Sequence, residues 1–195
     1  MDQVIPRWEW RTFGQDFGAA EKVFAAAESE GVQESDELYL LSPACAANVK
    51  IRDALMDIKV LVRVDAAGLE QWRPVMKGAF PLPAEQAKKV CEALAVPPPS
   101  AARAAYSLAE LRTELSAPIR GVRVVPVHKR RVRYRIHGCT SELTEVLADG
   151  KKTRTIALEA EDAGRLIDAV RSVGLGGFPN TSYPLGLKRL IGMKS

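Results

Sequence analysis

Cysteine is scarce and scattered in this chain. Cys45, Cys91 and Cys139 are the only three, an odd number, widely spaced and without a Cys-x-x-Cys pair. That argues against a disulfide scaffold or a zinc knuckle and fits idle or structural thiols in a reducing compartment. The two histidines, His128 and His137, stand at no metal-ligand spacing from the cysteines, so structural or surface roles are expected. No apolar run reaches the ~18 residues of a membrane span. The first residues, Met1 to Arg7, lack the basic start and apolar stretch of a signal peptide. A cytoplasmic protein with no membrane association is therefore expected. Also missing are a GxxxxGK[ST] phosphate loop, a GxSxG elbow and an HExxH helix. The glycines around Leu175 lie too far from a strand-to-helix junction to cradle a phosphate.

Charge is plentiful by contrast. The chain has 195 residues, 47% hydrophobic and 27% charged, with a formal net charge of +4. That length suits one compact domain over residues 1–195, and the modest positive excess suggests an anionic partner. The densest charge falls in residues 122–161. Lys129, Arg131, Arg133 and Arg135 alternate with Val132, Tyr134 and Ile136, the period of two that places them on opposite faces of a strand. His137-Gly138 closes this run. A second strand, about 142–147, ends at the hairpin signal Asp149-Gly150, and a third spans 153–161. There Ile156 and Leu158 share one face, and Thr155, Ala157, Glu159 and Glu161 the other. The three make an antiparallel meander with one apolar and one charged face.

The remainder repeats this theme. Residues 4–13 predict a strand with Arg7, Glu9 and Arg11 on one face and Trp8 and Trp10, read as core anchors, on the other. Residues 17–30 show helical spacing, with Asp16 as N-cap and Gly31 as terminator. A short strand is expected at 37–41 and a hairpin over 48–65, turning at 53–57. In that hairpin Lys50, Arg52, Lys59 and Arg63 oppose Val49, Ile51, Ile58, Val60, Val62 and Val64. Residues 71–80 read as an edge-like strand because of Pro74. Helices follow at 83–94 and, behind a Ser107/Glu110 capping box, to about 115; the proline-rich stretch 95–105 is a linker between the two halves. Asp162 caps a helix to about 173. A short terminal helix packs back through Tyr183, Leu185, Leu187 and Leu190.

Many strands sharing a charged face suggest an α+β fold: a nearly closed antiparallel barrel with the charges inward and helices covering the apolar outside. The alternative has an apolar interior and charges in water. It leaves the helices' apolar stripes little sheet to cover.

The pattern resembles the CYTH domain of the triphosphate tunnel metalloenzymes, in its exopolyphosphatase-related branch. The likeness rests on Arg7-Trp8-Glu9-Trp10-Arg11, Val49-Lys50-Ile51-Arg52 with Asp57-Ile58-Lys59, Lys129-Arg130-Arg131, residues 142–146, and Ile156-Ala157-Leu158-Glu159 leading into a helix. It implies an antiparallel barrel of about eight strands whose basic tunnel grips a triphosphate, with Mg2+ or Mn2+ held by glutamates. One departure stands out. The family's ExExK signature is here Arg7, Glu9 and Arg11, so a carboxylate is replaced by a cation and the lysine by arginine, which weakens metal binding.

On this resemblance Arg11, Lys50, Arg52, Lys59, Arg63, Lys129, Arg131, Arg133 and Arg135 bind the triphosphate or polyphosphate anion through charge-assisted bonds. Glu9, Glu159 and Glu142 are the candidate metal ligands, and Glu159 and Glu161 the candidate catalytic carboxylates. The expected activity is metal-dependent hydrolysis of tripolyphosphate, polyphosphate or a nucleoside triphosphate. The alternative is a catalytically degenerate module that binds polyphosphate or a nucleotide. Nucleic-acid binding, with Tyr134 stacking from an exposed basic sheet, is the weaker third reading. The oligomeric state is left open.

Overall fold

Residues 5–100 and 102–194 are described by a computed structural model, and in it period-two alternation sets the architecture. The strands are β1 (Arg7–Gly14), β2 (Ser29–Leu41), β3 (Asn48–Arg52), β4 (Leu55–Val64), β5 (Glu70–Ala79), β6 (Leu82–Pro83), β7 (Ala105–Tyr106), β8 (Arg123–Ile136), β9 (Cys139–Ala148) and β10 (Lys151–Ala160). Eight of them close into an antiparallel barrel in the order β1-β10-β9-β8-β2-β3-β4-β5, while β6 and β7 pair as a separate ribbon. The helices are α1 (Ala19–Ala26), α2 (Ala84–Ala93), α3 (Leu108–Leu115), α4 (Ala163–Ser172) and α5 (Tyr183–Ile191). This is the expected α+β barrel with helices outside.

On two walls of the barrel the strands turn an apolar row outward under helices. On one wall Trp8, Trp10, Tyr134, Ile156 and Leu158 pack against Phe24 of α1 and against Leu166 and Val170 of α4. Trp8 and Trp10 keep only 6% and 4% of their surface exposed, so burying each contributes roughly 1.5–3 kcal/mol. On another wall Leu40, Val49, Ile51, Met56 and Ile58 lie under α2 and α3. The α3 capping box forms as the sequence predicts, with Ser107 and Glu110 each satisfying the other's backbone N–H. The hairpin turns at His137-Gly138 and Asp149-Gly150 have positive φ at both positions, as a two-residue turn between twisted strands requires.

Four local expectations are corrected. The helix expected over 17–30 ends at Ala26, and Ser29 already opens β2, a strand of 13 residues instead of a short one. Gly31, read as a helix terminator, sits inside β2 at φ 128°, where the pairing with β8 slips. Gly18 is the N-cap of α1; Asp16 instead holds the preceding turn by accepting the Gly18 N–H at 2.7 Å. The β3–β4 turn is Asp53-Ala54 alone, both left-handed. Pro74 lies where β5 has lost β1 as a neighbour, since those strands pair only at Glu70, Gln71 and Trp72; the edge reading holds locally. The proline stretch is strapped down by buried Arg120, which donates to the carbonyls of Pro97 and Pro98. Val4, Ala101 and Ser195, which fall within three of the expected segments, lie outside the described residues.

Candidate functional site, a charged lumen

Alternation that sends Trp8, Tyr134 and Leu158 outward sends their neighbours inward. On β1 these are Glu9 and Arg11, and on β8 Lys129, Arg131, Arg133 and Arg135. Ala157 and Glu159 face in from β10, Glu142 and Thr144 from β9. Lys50, Arg52 and Lys59 come from β3 and β4, and Glu37 and Tyr39 from β2. The charged face is therefore the interior, as expected, and Lys129 is 1% exposed.

Two carboxylates organise the deep part. The Glu37 side chain is fully buried, 2.9 Å from Lys129 Nζ, 3.1 Å from Lys50 Nζ and 3.7 Å from Arg52 Nη1. Burial works against its charge, but Lys129 and Lys50 outweigh burial and hold the carboxyl at about 2. Lys129 also donates to Tyr39 Oη at 2.6 Å and lies 3.9 Å from the Tyr183 ring centre. Its pKa falls well below that of an ordinary lysine, because burial and the charge of Lys50 exceed the attraction of Glu37. Glu142 is the second organiser. It takes Arg11 Nη1 at 2.9 Å on one oxygen and faces Arg131 Nε at 2.9 Å on the other, and against burial these two cations hold it at about 2. The Arg131 N–H is not aimed along its short contact, so that pair is ionic without being a good hydrogen bond.

Arg11 is the hub. Its Nε donates to Glu9 at 2.8 Å, and its backbone N–H is accepted by the Asn180 side chain at 2.8 Å. Asn180 also donates to the Gly68 carbonyl at 2.8 Å, tying β1 to the loop before β5.

Toward the open end the pairing thins out. A cavity of about 450 Å³ is lined by Arg7, Glu9, Lys59, Trp72, Glu159 and Glu161, and one of about 330 Å³ by Arg7, Arg135, Glu159, Glu161 and Arg165 among others. Lys59 has no hydrogen bond or ion pair among the described residues. Arg133 donates to Gln33 at 2.6 Å, and Arg135 pairs with Glu30 at 3.1 Å, both exposed. Glu159 lies opposite Glu9 across β1 and β10. Burial and the Glu9 charge push its pKa up to about 7, against the pull of Lys59. Glu9 itself is lowered, because Arg11 and Lys59 outweigh its burial. Glu70, also opposite Glu9, is raised by burial. Arrays of this kind, with perturbed carboxylates in a concave basic site, mark candidate functional positions.

Arg63 is a correction. Pairing between β4 and β5 slips between Leu61 and Arg63, which breaks the alternation; the guanidinium ends up exposed, 4.8 Å over the ring of the outward-facing Trp8. It does not join the lumen. The expected metal set also meets an obstacle: Glu9 and Glu142 already have guanidinium partners. Among the described residues no three His, Cys, Asp or Glu side chains are grouped so as to hold a metal ion. As they stand these carboxylates do not fit a divalent-cation cage, which needs several converging oxygens. Tyr134 is buried with its ring 5.1 Å from that of Phe24, so it is not free to stack on a base.

Sequence reasoning missed Glu37, Glu70, Tyr39, Tyr183 and Asn180 as lumen or positioning residues. For Glu37 and Tyr39 a signal existed: they continue the polar row Gln33, Ser35 once β2 is extended to Ser29. Asn180, in a loop 169 residues from Arg11, left no such trace.

Comparison with known proteins supports the fold. No family model and no curated protein matches the sequence. A conserved hypothetical protein from Pyrococcus furiosus is similar in structure, with TM-score 0.52, 15% identity, and coverage of 91% of this chain and 98% of that one. A protein from Pyrococcus horikoshii matches with TM-score 0.52 and 17% identity over 94% and 98% of the two chains. An adenylyl-cyclase-like protein from Hippeastrum, said to have a dominant triphosphatase activity, reaches 0.47 at 14% identity over 87% and 88%, a likeness too distant to carry any argument about this chain. At these identities, what the two Pyrococcus structures share with this protein is its barrel fold.

Proposed function

We propose that the barrel lumen binds a triphosphate-bearing polyanion: inorganic tripolyphosphate, polyphosphate or a nucleoside triphosphate. One observation carries this reading. The inner lattice links five cations, Arg11, Lys50, Arg52, Lys129 and Arg131, to three carboxylates, Glu9, Glu37 and Glu142, with the exposed Asp53 also 3.8 Å from Arg52. Even with Asp53 counted the cations outnumber these carboxylates by one, and charge where water screens poorly is costly until a counter-charge arrives. Arg7, Lys59, Arg133 and Arg135 extend the positive field to the mouth. Arginine forks match phosphate oxygens, which suits this set to a phosphate chain.

Hydrolysis is a second reading, favoured by Glu159. A carboxyl with a pKa of about 7 beside the mouth cavity is suited to transfer protons at neutral pH. Glu161, at the rim, is the proposed partner that places water. In this reading Glu159 takes a proton from water as the water oxygen bonds to a phosphorus, the bridging P–O bond of that phosphorus breaks with its electron pair leaving on the departing phosphate, and the lattice cations hold the phosphate oxygens.

Thermal melting with and without tripolyphosphate, in metal-free buffer, tests the first reading. A ligand at 100 times its Kd should stabilise the protein by about 2.7 kcal/mol. No shift at millimolar concentration would refute it. Phosphate release, assayed alone and with Mg2+ or Mn2+, tests the second. Release abolished by Glu159→Gln supports it, and no release from any triphosphate at high protein concentration overturns it while leaving binding intact.

A further inference from the structure

The wall formed by β2, β8, β9 and β10 has an outer side that the lumen does not use. Strand register lines up its outward side chains in rows. Val132, Leu143 and Ile156 form one row and pack into the core with Phe24 and Leu166. The next two rows lie beyond that helix cover. Glu34, Arg130, Glu145 and Arg154 stand side by side across the four strands, and Asp36, His128, Leu147 and Lys152 stand beside them. All of these side chains are exposed or half-buried, and Leu147 keeps 39% of its surface in solvent. Two grooves flank the centre of the face. One of about 480 Å³ is bordered by Arg130, Lys152 and Arg154, and one of about 400 Å³ by Asp36, Leu38 and Pro126; His128 and Leu147 line both.

A solvated outer face is ordinary for an antiparallel sheet, and opposite charges on neighbouring strands support each other. Here Glu34 lies 3.9 Å from Arg130, Asp36 lies 2.9 Å from His128, and Arg154 reaches Glu21 of α1 at 2.7 Å. Glu145 and the Lys152 ammonium have no hydrogen bond or ion pair among the described residues. Pairing within the chain thus leaves one charge of each sign over, next to an exposed leucine.

We propose that this face is the interface of a symmetric dimer, with a second copy of the same chain as its occupant. The argument is charge complementarity. Across the four strands the first row reads negative, positive, negative, positive. A two-fold axis lying in the interface, parallel to the strands and between β8 and β9, keeps each row level and reverses the strand order. Arg130 then meets the partner's Glu145, and Glu145 meets the partner's Arg130. Glu34 faces the partner's Arg154, and Asp36 faces the partner's Lys152. His128 lies over the partner's Leu147, and each groove of one copy faces the other groove of its mate. Every charge in the two rows meets its opposite or an apolar side chain, and no like charges are opposed. Four strands ~4.8 Å apart, on a convex barrel wall, offer only a few hundred Å² per copy, against about 800 Å² in a standard interface. The dimer is therefore a weak one, with Kd on the order of 10–100 µM.

Sedimentation equilibrium of the full chain from about 5 to 500 µM tests this, with Arg130→Glu, Glu145→Arg and the double variant carrying both. A melting curve verifies that each is folded. Wild type should pass from monomer to dimer over that range. Each single variant opposes like charges twice across the axis and should self-associate at least about tenfold more weakly. An equimolar mixture of the two single variants should associate as wild type does, within about threefold, because each variant's new charge meets its opposite on the other. The double variant should also regain the homodimer, and it keeps the test open should one single variant fail to fold. Wild type that stays monomeric at the highest concentration overturns the proposal. So does a dimer indifferent to both single substitutions, which would use another face, and so does a failure of both the mixture and the double variant to associate.

Discussion

Glu37→Gln removes the charge on which the deep lattice turns. The folded carboxyl sits at about 2, against 4.5 for a free glutamate, so its contribution is fully present above pH 4.5 and is lost as pH falls through 2. That gap corresponds to roughly 3 kcal/mol at neutral pH. Lys129 limits the damage. Its ammonium is already disfavoured by burial and by Lys50, and losing Glu37 lowers its pKa further, so it gives up its proton more readily than a paired lysine would. The loss should therefore stay near ~3 kcal/mol, at the low end of the 3–5 kcal/mol for breaking a buried pair. For a chain of this size that is a melting temperature lower by about 6–12 °C. Urea unfolding across pH 2–7 is the assay. Wild type should lose its advantage between pH 4.5 and 2, and the two stability curves should converge there. A variant within about 0.5 kcal/mol of wild type at pH 7, or parallel curves down to pH 2, would refute the reasoning.

Three further outcomes follow from the same geometry. Glu159 is raised in the folded state, so its ionisation opposes folding as pH climbs from 4.5 through 7; Glu159→Gln should match wild type near pH 4.5 and exceed it at pH 8 by up to about 3 kcal/mol in urea unfolding. Lys59→Met should weaken tripolyphosphate binding about tenfold by calorimetry, since this ammonium lines the mouth and has no hydrogen bond or ion pair among the described residues. Gly186→Ala should lower stability by about 1–3 kcal/mol in thermal melts, because a Cβ there overlaps the Phe13 ring where α5 meets β1.

The sequence carried the barrel because alternation is a local signal. Each strand of the 122–161 meander announces its two faces, and Asp149-Gly150 and the Ser107/Glu110 box mark their turn and cap by side-chain chemistry alone. What failed was non-local or broke the period. Residues 17–30 have helical spacing, yet β8 offers a pairing edge that draws Ser29 onward into β2, and the tertiary partner decides. Arg63 was misplaced because a slip in the β4–β5 register flips one residue to the other face, and no composition rule announces it. Tyr183 was correctly expected to be buried, but helical spacing says nothing about which cavity the buried side borders. Glu37 was hidden in a strand start that the polar run Glu34-Ser35-Asp36 disguised. The inward turn of Lys129 and Arg131 was legible because apolar Tyr134 and Ile136 claim the other face and leave the cations no alternative.

A crystal structure grown with linear tripolyphosphate and Mn2+ examines the lumen most directly. The account predicts a chain of three phosphorus peaks inside the barrel, in contact with Arg131, Lys129 and Arg11. Well-ordered tripolyphosphate found only on the outer wall, with the lumen cations still paired to Glu37 and Glu142, would contradict it.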